Sequence, residues 1–293
     1  MALASRRPVT RSVLFDRALE SLPLFRLSDS AEDGPVQFAP LDGARWRVLP
    51  APGDRLPGTF DQDVYVELLH RYQELGSPAD GGVSFTLHAF LRSMGRKADG
   101  RTYEQLRAAL ARLERTTLES AGAYFSAPAG ERVDLTFAVL SSVIIERRRI
   151  EDHDQLALFP SLTANEPGDA RVVLGAPLRA NLAAGHVSQL SWTRYQQLSS
   201  PVARRLYRLL AALRAEQQGG EPGGGVTRYR VPLERWAEQL PLFQRYPSHL
   251  QRVLQPAHEM LLAAGVVRDA AIRPEGKGGG WVVEYELPAR RNP

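Results

Sequence analysis

The sequence predicts an α+β fold of two tandem modules, each a set of three helices closed by a β-hairpin. Three observations carry that prediction. Apolar residues recur at helical spacing in three successive stretches in each half of the chain. In each half the last of these is followed by alternating apolar and polar residues around a Gly-containing turn, the pattern of a hairpin. Between the halves lies a stretch without clear periodicity.

Residues 1–40 read as an N-terminal arm, a short helical stretch followed by the acidic, small-residue segment "SDSAEDGP". The first module is expected over residues 41–150. "ARWRVLPAP" reads as a strand. From Asp61, the residues Val64, Leu68 and Tyr72 keep helical spacing, with Asp61 as the expected N-cap. "VSF" reads as a short strand and "TLHAFLRSMG" as a short helix stopped by Gly95. In "RTYEQLRAALARLERTTLES" the stripe Tyr103, Leu106, Leu110, Leu113 and Thr117 opposes Arg101, Gln105, Arg112, Arg115 and Thr116. "AGAYFSA", the turn "PAGER" and "VDLTFAVLSSVIIERRR" complete the module as a hairpin.

Residues 151–175 are expected to connect the modules, and residues 176–293 to form the second. Its first helix holds the stripe Tyr195, Leu198, Val202, Leu206, Leu209 and Leu213, with a kink or restart at Pro201. "VTRYRV" is a strand and "PLERWAEQL" a helix. "PSHLQRVLQPAHEMLLAAG" is a long helix with its stripe at Leu250, Val253, Leu254, Ala257 and Leu261. "VVRDAAIRPEGKGGGWVVEYELP" is a hairpin with a Gly-rich tip. Two helices across a short turn form a helix-turn-helix, and the hairpin supplies a wing. The expected fold is therefore two winged-helix domains in tandem, repeated in architecture rather than residue by residue.

With 43% hydrophobic residues, the 293-residue chain can fill two cores. No apolar run approaches the ~18 residues of a membrane span. The absence of cysteine excludes disulfides and thiolate chemistry. The N-terminus lacks the unbroken apolar run of a signal peptide, so a cytoplasmic protein is expected. The formal charge of +4 is compatible with a polyanionic partner but shallow for this length. Placement of the cations must therefore decide.

The segment "LSWTRYQQLSSPVARRLYRLLAAL" resembles the opening of the second winged helix of plasmid replication initiator proteins of the replication initiator protein A type. "LPGTFDQDVYVELL" through "YEQLRAALARLERTTL" is similar to the first domain of that family. The resemblance implies a protein that binds repeated origin sites (iterons) in double-stranded DNA and starts replication of a plasmid or secondary replicon. It further implies a monomer–dimer switch with the dimer contact in the first domain, recruitment of host replication proteins, and repression of the protein's own promoter at an operator inverted repeat. A tandem winged-helix transcription regulator is the neighbouring reading.

Such a function needs cations for phosphates and side-chain donors and acceptors for base edges. On the helix after Pro247 the expected base-reading residues are Ser248, His249, Gln251, Arg252 and Gln255, with Tyr246 just ahead of them. Arg204 and Arg208 are expected to face outward and grip phosphate. In the first module Arg101, Arg112 and Arg115 take the corresponding place, and Arg147, Arg148 and Arg149 end its hairpin. Lys277 sits at the tip of the second wing. For each of these the competing reading is an ordinary solvated charged face.

No catalytic residue, metal or cofactor is expected. The chain has no G-x-x-x-x-G-K-[ST] loop and no His-x-His pair, and "EDHD" in the connection reads as solvated. His249, Arg252 and Tyr285 superficially resemble the tyrosine recombinase constellation, but Tyr285 alternates with apolar residues like a strand residue.

Overall fold

The computed structural model describes residues 12–27, 34–146, 169–217, 227–242, 246–276 and 280–289. The first described elements are strand β1 (Ser12–Asp16) and the one-turn helix α1 (Arg17–Glu20). Strands β2 (Val36–Phe38) and β3 (Arg45–Leu49) precede helix α2 (Thr59–Glu74). Strand β4 (Gly82–Thr86) leads directly into helix α3 (Leu87–Ser93), and a turn leads to helix α4 (Gly100–Arg115). Strands β5 (Thr117–Ser126), β6 (Glu131–Phe137), β7 (Leu140–Ile145) and β8 (Asp169–Leu174) follow.

The second half begins with helix α5 (Ala176–Ala183), strand β9 (Val187–Ser191) and short helix α6 (Trp192–Gln197). Helix α7 (Pro201–Gln217) restarts at the proline. Strand β10 (Thr227–Pro232) runs into helix α8 (Leu233–Gln239), and a turn leads to helix α9 (Pro247–Ala263). Strands β11 (Asp269–Pro274) and β12 (Trp281–Leu287) form the closing hairpin.

The two halves share one topology. The first has a sheet in the order β4-β8-β7, and the second a sheet in the order β10-β12-β11. In both, the strand that precedes the helix-turn-helix pairs with the last strand of its half, as in a winged helix. Strands β1 and β9, each followed directly by a short helix, pair antiparallel with each other, Ser12 opposite Ser191 and Asp16 opposite Val187. The long helices keep their stripes: Val64, Leu68 and Leu69 on α2, Leu106, Leu110 and Leu113 on α4, and Leu250, Leu254 and Leu261 on α9 are all buried.

Four local expectations change. Within the segment read as an arm, residues 12–27 pack inward: Val13, Phe15, Leu19, Leu22, Leu24 and Phe25 all lie in the core. Its polar and small residues suggested exposure, but its apolar positions fit the groove between the halves. Trp46, fully buried on β3, donates its indole N–H to the Pro23 carbonyl at 2.7 Å and holds this segment in place. Second, the hairpin β5–β6 is not the wing of the first half. It joins β2 and β3 in a separate sheet, β2-β3-β5-β6. Third, the expected connection contributes β8 to the first winged-helix sheet, where it pairs with both β4 and β7. Alternation identifies a strand without naming its partner. Fourth, α2 begins at Thr59 with Gly58 as N-cap. Asp61, one turn in, accepts the Gly58 N–H at 2.6 Å.

A bulge in β5 explains one long-range contact. The register shifts between Ser120 and Tyr124, and Gly122 there has φ +61°, a conformation that favours glycine. The Ser120 hydroxyl accepts the N–H groups of Ala123 and Tyr124. Tyr124 is thereby turned inward, where its hydroxyl donates to Asp16 Oδ2 at 2.5 Å. Asn181 on α5 donates to Asp16 Oδ1 at 3.0 Å. Burial pushes the Asp16 carboxyl up to about 7 against the lowering effect of these hydrogen bonds.

Candidate nucleic-acid interface

In a winged helix the second helix of the helix-turn-helix presents its outer face to the duplex. In the second half that helix is α9, entered through Tyr246 with Pro247 in its first turn. Pro256 lies on the exposed side, and the helix continues through it to Ala263. The buried stripe fixes the rotation of α9, so Ser248, His249, Arg252 and Gln255 are exposed and Gln251 is half-buried. Tyr246 is 69% exposed and stands edge-on to His249, with ring centroids 5.7 Å apart. Arg252 makes no ion pair among the described residues, whereas Gln255 donates to Glu259 Oε1 at 3.1 Å. The face therefore holds an unpaired guanidinium and a carboxamide one turn apart, the groups that pair with guanine and adenine edges.

The adjoining wing sheet carries more cations, but carboxylates accompany them. Arg228 pairs with Glu286 at 3.2 Å, Arg230 with Glu275 at 2.9 Å, and Arg273 with Glu284 at 3.7 Å. Lys277, expected at the wing tip, lies outside the described residues.

The phosphate-gripping pair expected on α7 is a correction. Arg208 is 1% exposed and donates to Glu20 Oε1 at 3.0 Å and Gln62 Oε1 at 2.7 Å. Its guanidinium also lies over the rings of Phe25 and Tyr65. Arg204 is bound to Asp63 Oδ1 at 2.5 Å and to the Leu198 carbonyl at 2.6 Å. Arg205, which sequence reasoning did not single out, also reaches Glu20, at 3.0 Å. The three arginines hold α7 against α1 and α2. Tyr207, from the same run, accepts the Ser191 N–H at 3.0 Å and ties α7 to the start of α6.

In the first half, α4 is capped by Asp99, whose carboxylate accepts the Thr102 N–H at 3.0 Å. Arg101 and Gln105 are exposed on its outer face. Arg115 is exposed and pairs with Asp54 at 3.1 Å. Arg112 is a second correction, because it turns inward and donates to Asp61 at 2.8 Å, with 11% of its side chain exposed. The α4 wheel places Arg112 at the boundary of the buried stripe, and the acidic partner on α2 decides its direction. Arg92, at the end of α3, is exposed as well. Arg147, Arg148 and Arg149 follow β7 and lie outside the described residues.

Tyr285 is no recombinase nucleophile. It is 1% exposed, accepts the Trp236 indole N–H at 3.0 Å and shares a 2.7 Å hydrogen bond with His258 Nε2. A tyrosine inside the core cannot reach a phosphodiester. Among the described residues no cluster of side chains suits a metal ion, and no helix is long and apolar enough to cross a membrane. "EDHD" lies outside the described residues.

A family model described as replication initiator protein A matches residues 15–223. No curated protein sequence matches the chain. Among solved structures, the Pi initiator protein in complex with iteron DNA superposes with a TM-score of 0.55 at 11% identity, over 97% of this chain and 99% of that one. Domains 2 and 3 of RctB superpose with a TM-score of 0.54 at 12% identity, over 93% of this chain and 96% of that one. At such identities the likeness is one of fold.

Proposed function

The chain belongs to the replication initiator protein A family, and from that premise we propose that it binds repeated double-stranded sites at a replication origin and starts replication of a plasmid or secondary replicon. The observation that carries the proposal is the outer face of α9, where Ser248, His249, Arg252 and Gln255 are exposed on a helix whose opposite stripe is buried. Arg252 and Gln255 supply base-edge contacts, and Tyr246 packs on a sugar at the groove edge. Arg101, Arg115 and Arg92 of the first half, and Lys277 with Arg147, Arg148 and Arg149, supply phosphate contacts. The solved complex of the Pi initiator with iteron DNA supports a duplex ligand of this kind.

The protein further exchanges between monomer and dimer, represses its own promoter at an operator inverted repeat, acts in the cytoplasm without enzymatic chemistry, and recruits host replication proteins. The test is to incubate the full chain with fragments of its native replicon, capture what is bound and sequence it. Direct repeats about two DNA turns apart, clustered at one locus, are expected. Scattered single promoter sites without repeats would make the protein a transcription regulator instead.

A further inference from the structure

Glu259 lies one turn beyond Gln255 on the exposed face of α9, and its carboxylate takes one N–H of the Gln255 amide at 3.1 Å. Neither residue contributes to the core, and the sequence alone gave Glu259 no role. Resting on the assignment of α9 as the reading helix, we infer that Glu259 is a positioning residue for base recognition: it holds the Gln255 amide in the one orientation that reads adenine.

The reasoning is geometric. A carboxamide pairs with the major-groove edge of adenine through its oxygen, which accepts from N6–H, and through the N–H on the same side, which donates to N7. The second N–H points away from the base. Inside the groove that group has lost water and costs free energy if it finds no acceptor. Glu259 is that acceptor. The carboxylate also forbids the flipped amide, because the flip would bring the amide oxygen against a negative charge. An unrestrained glutamine is less selective, since by rotating it can donate to guanine N7 and O6 or accept from cytosine N4. In water the exposed contact is weak, of order a few tenths of a kcal/mol for such a helical pair. It strengthens when the groove excludes solvent.

A carboxylate on a DNA-facing helix also repels phosphate. Its presence next to the reading residues therefore lowers affinity for all DNA while sharpening the choice of base, a trade that favours specificity.

The experiment compares the full-length wild-type chain with Gln255→Ala, Glu259→Ala and Glu259→Gln by selection from a fully randomised duplex library followed by sequencing. Gln255→Ala is expected to flatten one adenine column. Glu259→Ala is expected to weaken the same column by about tenfold, within the discrimination a bidentate pair supplies. Glu259→Gln removes the charge and can donate to a flipped amide as well as accept from an unflipped one, so it is expected to weaken the same column about as much as Glu259→Ala while binding all duplexes more tightly. An adenine preference in Glu259→Gln as sharp as in wild type would show that the acceptor-only carboxylate is not what fixes the amide and would overturn the inference. So would a change in a different column, which would make Glu259 a reader in its own right. If Gln255→Ala leaves every column intact, the assignment of α9 as the reading helix fails first. If Gln255→Ala flattens its column and Glu259→Ala does not, only the positioning role fails.

Discussion

The carboxylate of Glu20 and the guanidinium of Arg208 meet at 3.0 Å although 188 residues separate them in the chain, and neither side chain is more than 2% exposed. Arg205 reaches the other oxygen of the same carboxylate at 3.0 Å, and the Tyr65 hydroxyl donates at 3.1 Å to the oxygen that Arg208 holds. One acid from α1 thus compensates two arginines of α7 at the seam between the halves. A buried charge left without its partner is costly, whereas the intact pair contributes little net stability.

Removing Glu20 is therefore predicted to be severe. Glu20→Ala leaves two buried guanidinium groups facing no carboxylate and is expected to cost about 3–5 kcal/mol. Urea denaturation measures it. Arg208→Ala is expected to destabilise the chain without lowering the dependence of DNA affinity on salt, because its guanidinium is buried against Glu20 and Gln62. A salt slope reduced by about one unit would show that Arg208 leaves the seam on DNA and contacts the backbone.

Arg252→Ala is expected to weaken binding to the specific site by about 1–3 kcal/mol and to relax one base position, with stability unchanged because the side chain is exposed. Titration of duplexes varied one position at a time reads both effects. An unchanged preference at every position would remove Arg252 from the reading set.

The buried Asp16 makes a pH prediction of unusual sign. Its pKa is raised by burial to about 7 from an ordinary 3.8. The folded state then holds a proton that the unfolded chain releases between those values, so this group's contribution falls as pH rises from about 4 to about 7. His186 and His258 act oppositely. Burial holds both near 4 against 6.5, so each makes stability rise with pH over about 4 to 6.5. Asp16→Asn should isolate the first effect. Its stability relative to wild type is expected to improve steadily from pH 4 to pH 7 in denaturation series. A constant difference would show that Asp16 titrates normally.

Tyr285→Phe removes the hydroxyl shared by Trp236 and His258, leaving two buried polar groups to find other partners. A loss of roughly 1–3 kcal/mol is expected, with DNA binding intact once the protein is folded. Denatured wild-type protein–DNA mixtures should show no covalent complex. A Tyr285–DNA adduct would restore the recombinase reading.

Most of the architecture was legible because helical periodicity and turn residues are local properties. The stripes of α2, α4 and α9 follow from spacing alone, and Pro201 marked a helix start correctly. The outward face of α9 was legible for the same reason: once Leu250, Leu254 and Leu261 face inward, Arg252 and Gln255 must face outward. Membership of the family was legible in the segment around α7.

The partners of charged and strand residues were not legible, because they are chosen by elements distant in sequence. Arg204 and Arg208 sit on an arginine-rich helix that reads as a phosphate grip. Only the folded chain brings Asp63 and Glu20 to them. Arg112 turned inward because Asp61 faces it from α2. The strand character of residues 117–126 was evident, yet pairing with β3 put them in a sheet that is not the wing. Periodicity tells a residue which side of its own element it occupies. What stands on that side is settled by tertiary packing, where a single buried carboxylate can reverse the role of the arginines around it.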